Sequence, residues 1–221
     1  MKIATWNIER LKHRSKLEAI TDILQEIDAG ILILTETDTQ VRLNNYTRCF
    51  STPNLAEIAP KYYRDTETRV SIFTNYKLIR SFETYDKYTS LCVELETERG
   101  NLIVYGTIIG IYGNRHKNFS EDLHSQLADI EKLSKNRNFC FAGDYNVSFA
   151  DNYYFVKAGR DALNKIFVDN DMELLTKDRK ECIDHIAVSK PFAAFFDIEV
   201  CEWNHDKSLS DHKGIYVDMR G

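Results

Sequence analysis

From Ile3 to Ile8 apolar and polar positions alternate with the period of two that lines one face of a strand. Leu17, Ile20, Ile23, Leu24 and Ile27 then recur at helical spacing and predict a helix over 16–27, ended by Asp28-Ala29-Gly30. The unbroken run Ile31-Leu32-Ile33-Leu34 has the length of a strand buried on both faces. Strand, helix and strand in that order set a parallel pair beneath a covering helix.

The stretch from Thr35 to Thr68 is polar, carries Pro53 and Pro60 and keeps no period, so it reads as loops with one short element at most. Beyond it, Arg69–Phe73, Thr89–Leu95 and Asn101–Tyr105 are strand-like runs parted by short turns, the pattern of an antiparallel meander. Leu123, Leu127, Ile130 and Leu133 form the stripe of a helix over 120–134, and 161–167 reads as a shorter helix. Phe139–Ala142, Ile183–Val188 and a run opening at Gly214 are further strands. Parallel and antiparallel strands with a few helices predict an α/β architecture, two mixed sheets packed together with helices outside.

With 221 residues, 43% hydrophobic and 29% charged, the chain can bury a sizeable core, which excludes disorder. Nine Gly and three Pro leave no stretch of linker composition, so 1–221 is expected to be one domain. A net charge of −5 argues against a basic coat for sequence-blind nucleic-acid binding, while leaving room for a local basic cleft. No apolar run spans a bilayer and MKIATWNIER lacks a signal peptide's apolar segment; no membrane partner and a cytoplasmic location are expected. The five cysteines, at 49, 92, 140, 182 and 201, have no zinc-like spacing and read as reduced core thiols.

The chemistry lies where apolar strands stop at carboxylates and carboxamides, groups whose unpaired burial costs on the order of 2 to 7 kcal/mol each. Trp6-Asn7-Ile8-Glu9 projects an amide and an acid from a strand end, two residues apart and so on one face. Glu36 closes the Ile31–Leu34 run as its first charge. Gly143-Asp144-Tyr145-Asn146 repeats the acid-and-amide pair after Phe139–Ala142, with Gly143 read as allowing a tight turn. Such oxygen ligands suit a hard cation such as Mg²⁺. Ile183-Asp184-His185 holds an acid within a strand, and Ser210-Asp211-His212 precedes the last one. Asp184 accepting from His212 would fix the imidazole's tautomer and favour its charged form. Each motif alone also fits an ordinary turn, strand end or buried histidine.

Taken in this order, WNIE, the TE after an apolar strand, GDYN, IDHI and SDH resemble the endonuclease/exonuclease/phosphatase superfamily of DNase I-like phosphoesterases, from Trp6 to about Val217. The resemblance implies a four-layer α/β sandwich and a hydrolase that attacks phosphoesters in line with an activated water. It implies that Asp144 activates the water, that Asn7 and Asn146 contact the phosphate, that Asp184 pairs with a catalytic His212, and that Glu36, with Glu9 and Asp211 nearby, holds Mg²⁺ or Mn²⁺. One departure stands out, because Gly110 and Ile111 occupy the place where many relatives carry a His or Tyr against the phosphate. Tyr112 or His116 from the following loop is the candidate replacement.

Arg10, Lys12, His13, Arg14 and Lys16 follow the first motif, and Arg115, His116 and Lys117 follow the Tyr112 strand. A positive rim of this kind guides a polyanion, with Arg10 as a substrate contact, and points to DNA or RNA. Tyr62, Tyr63, Tyr153 and Tyr154 are candidate base-stacking residues. Two alternatives are a phosphomonoesterase acting on a small sugar or nucleotide phosphate, and a binding module of the same fold with little turnover. The sequence carries no signal for oligomeric state.

Overall fold

The inward and outward rows of each strand explain the layering. In the first strand Ile3 and Thr5 face one way while Ala4 and Trp6 face the other, and both rows are buried. A strand apolar on both faces needs a second sheet on one side and a helix on the other.

The computed structural model describes residues 1–12, 14–110 and 117–221. In chain order it contains β1 (Lys2–Asn7), α1 (Leu17–Ile27), β2 (Ile31–Asp38), β3 (Arg48–Ser51), β4 (Glu67–Thr74), β5 (Lys77–Phe82), β6 (Ser90–Thr97) and β7 (Gly100–Ile108). There follow α2 (Lys117–Ser134), β8 (Phe139–Asp144), α3 (Lys157–Asp169), β9 (Met172–Leu174), β10 (Asp184–Ser189), α4 (Lys190–Ala193), β11 (Asp197–Trp203) and β12 (Gly214–Arg220). One six-stranded sheet has the order β11-β12-β1-β2-β4-β3 and the other β5-β6-β7-β8-β10-β9. The strand-helix-strand opening forms the expected parallel pair, Ile3 opposite Ile31, and β7 and β8 form a second one across α2.

Ile3, Ile33, Val70 and Val217 from the first sheet meet Val93, Val104, Ala142 and Ile186 from the second in the central apolar layer. Leu24 and Ile20 of α1 cover Ala4 and Leu32 on one outer face, and Leu127, Ile130 and Phe167 of α2 and α3 cover Ile103 and Phe141 on the other. The result is the four-layer sandwich that the resemblance implied. No helix among the described residues is long and apolar enough to cross a membrane.

Several local expectations need correction. Residues 35–68 are mainly loop as expected, but they hold more than one short element, because β2 runs on to Asp38, β3 pairs with β4 and β4 begins at Glu67. Arg69–Phe73 does not join the meander: its strand pairs with β2 in the first sheet, and the antiparallel meander is β5-β6-β7. Gly143 makes no tight turn. It lies within β8 at a φ of 138°, and a Cβ there would stand 1.9 Å from the Thr107 carbonyl oxygen of β7, so glycine is required by close strand approach. The five thiols are free as expected, but Cys49 is exposed and Cys201 half-buried rather than core.

Candidate active site

Three strands end an inward-facing row in a polar side chain at one end of the sandwich. The row Ile3-Thr5 finishes in Asn7, Cys140-Ala142 in Asp144, and, running the other way along β10, Val188-Ile186 in Asp184. All three terminal residues are buried. Asp144 and Asp184 stand opposite each other in the β8–β10 register, and the Asn7 amide crosses from the other sheet to donate to Asp144 Oδ2 at 3.0 Å. The backbone N–H of Asn146 donates to Asp144 Oδ1 at 2.9 Å, so both carboxylate oxygens are held. Asn146, in the left-handed region at a φ of 52°, donates its own amide to the Ile109 carbonyl at 2.8 Å.

His212 enters from the loop between β11 and β12, which a network of hydrogen bonds pins. Trp6 Nε1 and Asn204 Nδ2 both donate to the His212 carbonyl, at 3.0 and 2.6 Å. The Ser210 hydroxyl donates to the Asn7 carbonyl at 2.6 Å and accepts from the His212 N–H at 3.2 Å. The imidazole Nδ1 then donates to Asp184 Oδ2 at 2.6 Å. Asp144, Asp184 and His212 offer ligand atoms within 4.8 Å of one another, and no other His/Cys/Asp/Glu trio among the described residues gathers so tightly.

Burial pushes the Asp144 carboxyl up, against the pull of the His212 charge and with Asp184 adding to the rise. Burial alone would neutralise His212, yet the Asp184 carboxylate at its ring more than offsets this and raises its pKa to about 10. The centre therefore pairs a cationic imidazole with a carboxyl group that gives up its proton reluctantly.

Glu9, Glu36 and Asp211 share with Asn7, Asp144, Asn146 and His212 a pocket of about 330 Å³, which Lys12 and Gly110 also line. Glu9 does not lie on the strand beside Asn7. It starts a turn at a φ of 50°, with its N–H on Asn7 Oδ1 at 2.9 Å and its carboxylate accepting from the Asp211 N–H at 3.0 Å and from Lys12 at 2.8 Å. Burial opposes its ionisation, but Lys12 and the Asp211 amide hold its pKa below the ordinary value. Glu36 breaks the pleat of β2 at a φ of 44° and meets Arg69 at 3.2 Å and Arg10 at 3.7 Å. Arg10, expected on the substrate, is thus directed at Glu36, with its guanidinium 5.4 Å from the Tyr63 ring. Tyr112 and His116 lie outside the described residues, as does His13.

Arg69, Ser210, Asn204 and the Trp6 indole escaped the sequence reading, although each positions a predicted residue. Arg69 had a legible signal, a charge inside the otherwise buried strand Arg69–Phe73, which demands an acid beside it. The other histidine of the IDHI motif proves structural: His185 is buried on the far face of β10 between Thr176 and the Val147 carbonyl. A second cleft of about 220 Å³ shares the walls Asn146, Asp211 and His212 and adds Tyr153, Lys207 and Lys213. The larger cleft, about 670 Å³ near Asn138 and Ser189, lies at the opposite end of β8 and contains none of these groups.

The model of the Endonuclease/Exonuclease/phosphatase family matches residues 4–212, the whole span that carries these groups. The chain belongs to that family. As a member it is a phosphoester hydrolase. No curated protein matches it by sequence. Among solved structures, a family protein from Beutenbergia cavernae aligns at a TM-score of 0.72 and 13% identity, covering 100% of this chain and 72% of that one. A 3′ phosphatase from Neisseria bound to product DNA hairpin aligns at 0.72 and 15% identity over 100% of both chains. An AP endonuclease from Archaeoglobus fulgidus aligns at 0.68 and 15% identity over 99% of both. At these identities the likeness is one of fold.

Proposed function

We propose that the protein is a divalent-metal-dependent phosphodiesterase that cleaves DNA or RNA, with 1–221 acting as a single catalytic domain. The observation that carries this reading is the contact of Asn7 from one sheet with Asp144 from the other, beside the Asp184–His212 pair. It brings a base, an amide donor and a cation to the walls of one pocket.

The donor set fits a hard cation. Asp184 Oδ1 is buried without a hydrogen-bond partner, and the carboxylates that line the pocket, Glu9, Glu36, Asp144 and Asp211, outnumber the cations that line it, Lys12 and His212. Glu36, with Glu9 and Asp211 close by, would hold Mg²⁺ or Mn²⁺, which when bound neutralises charge on the phosphate and leaving oxygen. Asp144, with both oxygens oriented and its basicity raised by burial, accepts the proton of the attacking water. Asn7 and Asn146 each spend one amide hydrogen on the protein, leaving the other for a phosphate oxygen. His212 is held cationic by Asp184 and stabilises the negative charge that grows as water attacks in line.

Lys12, Lys207 and Lys213 line the active-site pocket and the cleft beside it, and Tyr153 stands exposed next to Lys207, features suited to a nucleic-acid strand. The small volume of the central pocket favours a second reading, a phosphomonoesterase that removes a terminal phosphate. Assays on plasmid, abasic oligonucleotide, single-stranded RNA and a chromogenic phosphomonoester, each with Mg²⁺, Mn²⁺ and EDTA, separate the two. We expect EDTA to abolish activity and polymer cleavage to exceed monoester hydrolysis; EDTA-resistant turnover would contradict the mechanism.

A further inference from the structure

Glu36 is the only predicted ligand whose two oxygens, among the described residues, both face guanidinium groups, and the two partners differ in kind. Thr35 opposes Val70 and Thr37 opposes Thr68, so Glu36 and Arg69 stand across from each other on β2 and β4. Arg69 Nη1 donates to Glu36 Oε1 at 3.2 Å, and Nη2 donates to the Tyr63 hydroxyl at 2.7 Å. Its side chain is 4% exposed, and its Nε is buried without a partner. Arg10 approaches Oε2 at 3.7 Å and is 25% exposed, while its guanidinium also lies over the Tyr63 ring, which Arg69 shares.

A divalent ion that takes Glu36 has to compete with these cations. Arg10 can turn to solvent at little cost, because the pair is long and both side chains are partly exposed. Arg69 cannot follow: moving it would leave a buried guanidinium without its acid, the expensive way to break a buried pair. We propose that Arg69 is a resident counter-cation of Glu36, a positioning residue that holds Oε1, presents Oε2 to the ion and keeps divalent-ion affinity low, while Arg10 is the exchangeable partner that the ion displaces. This rests on the reading of Glu36 as a metal ligand.

Two opposing effects follow from removing Arg69. Glu36 loses an anchor, which weakens ion binding, and loses a competing positive charge within a few ångströms, which strengthens it. At partly buried separations the charge term against a divalent ion dominates, by at least about tenfold in affinity.

The test is Mn²⁺ binding without substrate, followed by electron paramagnetic resonance and calorimetry. Arg69→Met should bind Mn²⁺ at least about tenfold more tightly than wild type, and Arg69→Lys, which keeps the charge, should stay within about threefold. An Arg69→Met protein that is folded by circular dichroism yet binds Mn²⁺ equally or more weakly overturns the proposal. Absence of Mn²⁺ binding in both the wild type and a folded Arg69→Met instead removes the metal reading of Glu36. Should Arg69→Met not fold, arginine side-chain ¹⁵N NMR of the wild type during Mg²⁺ titration decides. The Arg69 guanidinium signals should stay hindered while those of Arg10 sharpen towards free rotation; release of Arg69 on saturation rejects the idea.

Discussion

At the scale of single residues, what marks the site is polarity in rows where burial demands apolar groups. Asn7, Asp144 and Asp184 were legible because each ends such a row, and His212 because a serine and an acid directly precede it in a short motif. Arg69 was less legible, since its acid lies on another strand and only pairing of β2 with β4 brings them together. Asp144→Asn and His212→Ala are the direct tests of the roles of these two residues. Each should lower kcat by about two orders of magnitude or more with unchanged circular dichroism, the first by removing the base and the second the charge-stabilising imidazole. Rates within a few-fold of wild type in both variants would withdraw these roles.

Among the elements, strong periodicity and long apolar runs predicted α1, α2 and the interior strands, whereas β3, β5, β9 and β11 went unread. These four are the edge strands of the two sheets. An edge strand pairs on one side only and exposes much of its surface, so its sequence mixes charges with few apolar positions, as Lys77-Leu-Ile-Arg-Ser-Phe82 does. Gly143 carries the clearest prediction for an interior strand. Gly143→Ala forces a Cβ against the Thr107 carbonyl at an unfavourable φ. It should cost roughly 2 to 4 kcal/mol in urea unfolding, and rotate Asp144 out of place as well. Wild-type stability for this variant would contradict the close approach of β7 and β8.

The whole molecule couples its outer apolar layer to pH through His185. Burial lowers the pKa of this residue from 6.5 to about 4, with Nε2–H donating to Val147 and Nδ1 accepting from Thr176, so the folded state takes it neutral. A folded pKa below the unfolded one means the unfolded chain binds the proton first as pH falls. The contribution is therefore complete above about pH 6.5 and is lost between there and about pH 4, a change on the order of 3 kcal/mol. Urea titrations of wild type and His185→Gln at pH 7, 5.5 and 4 should show the gap in stability narrowing steadily as the solution is acidified. A gap independent of pH would mean that His185 is not held neutral.

Local pattern was enough to define the layers, because a helix or strand buries its apolar face wherever that face finds cover, and periodicity records this residue by residue. It was also enough to single out the acids, amides and imidazole, since their burial needs compensation that no neighbour in sequence supplies. Partnerships were beyond it. Which sheet β4 joins, that Asn7 reaches Asp144, and that Arg69 rather than solvent answers Glu36 depend on contacts between segments far apart in the chain, and those distances are set by packing the two sheets face to face.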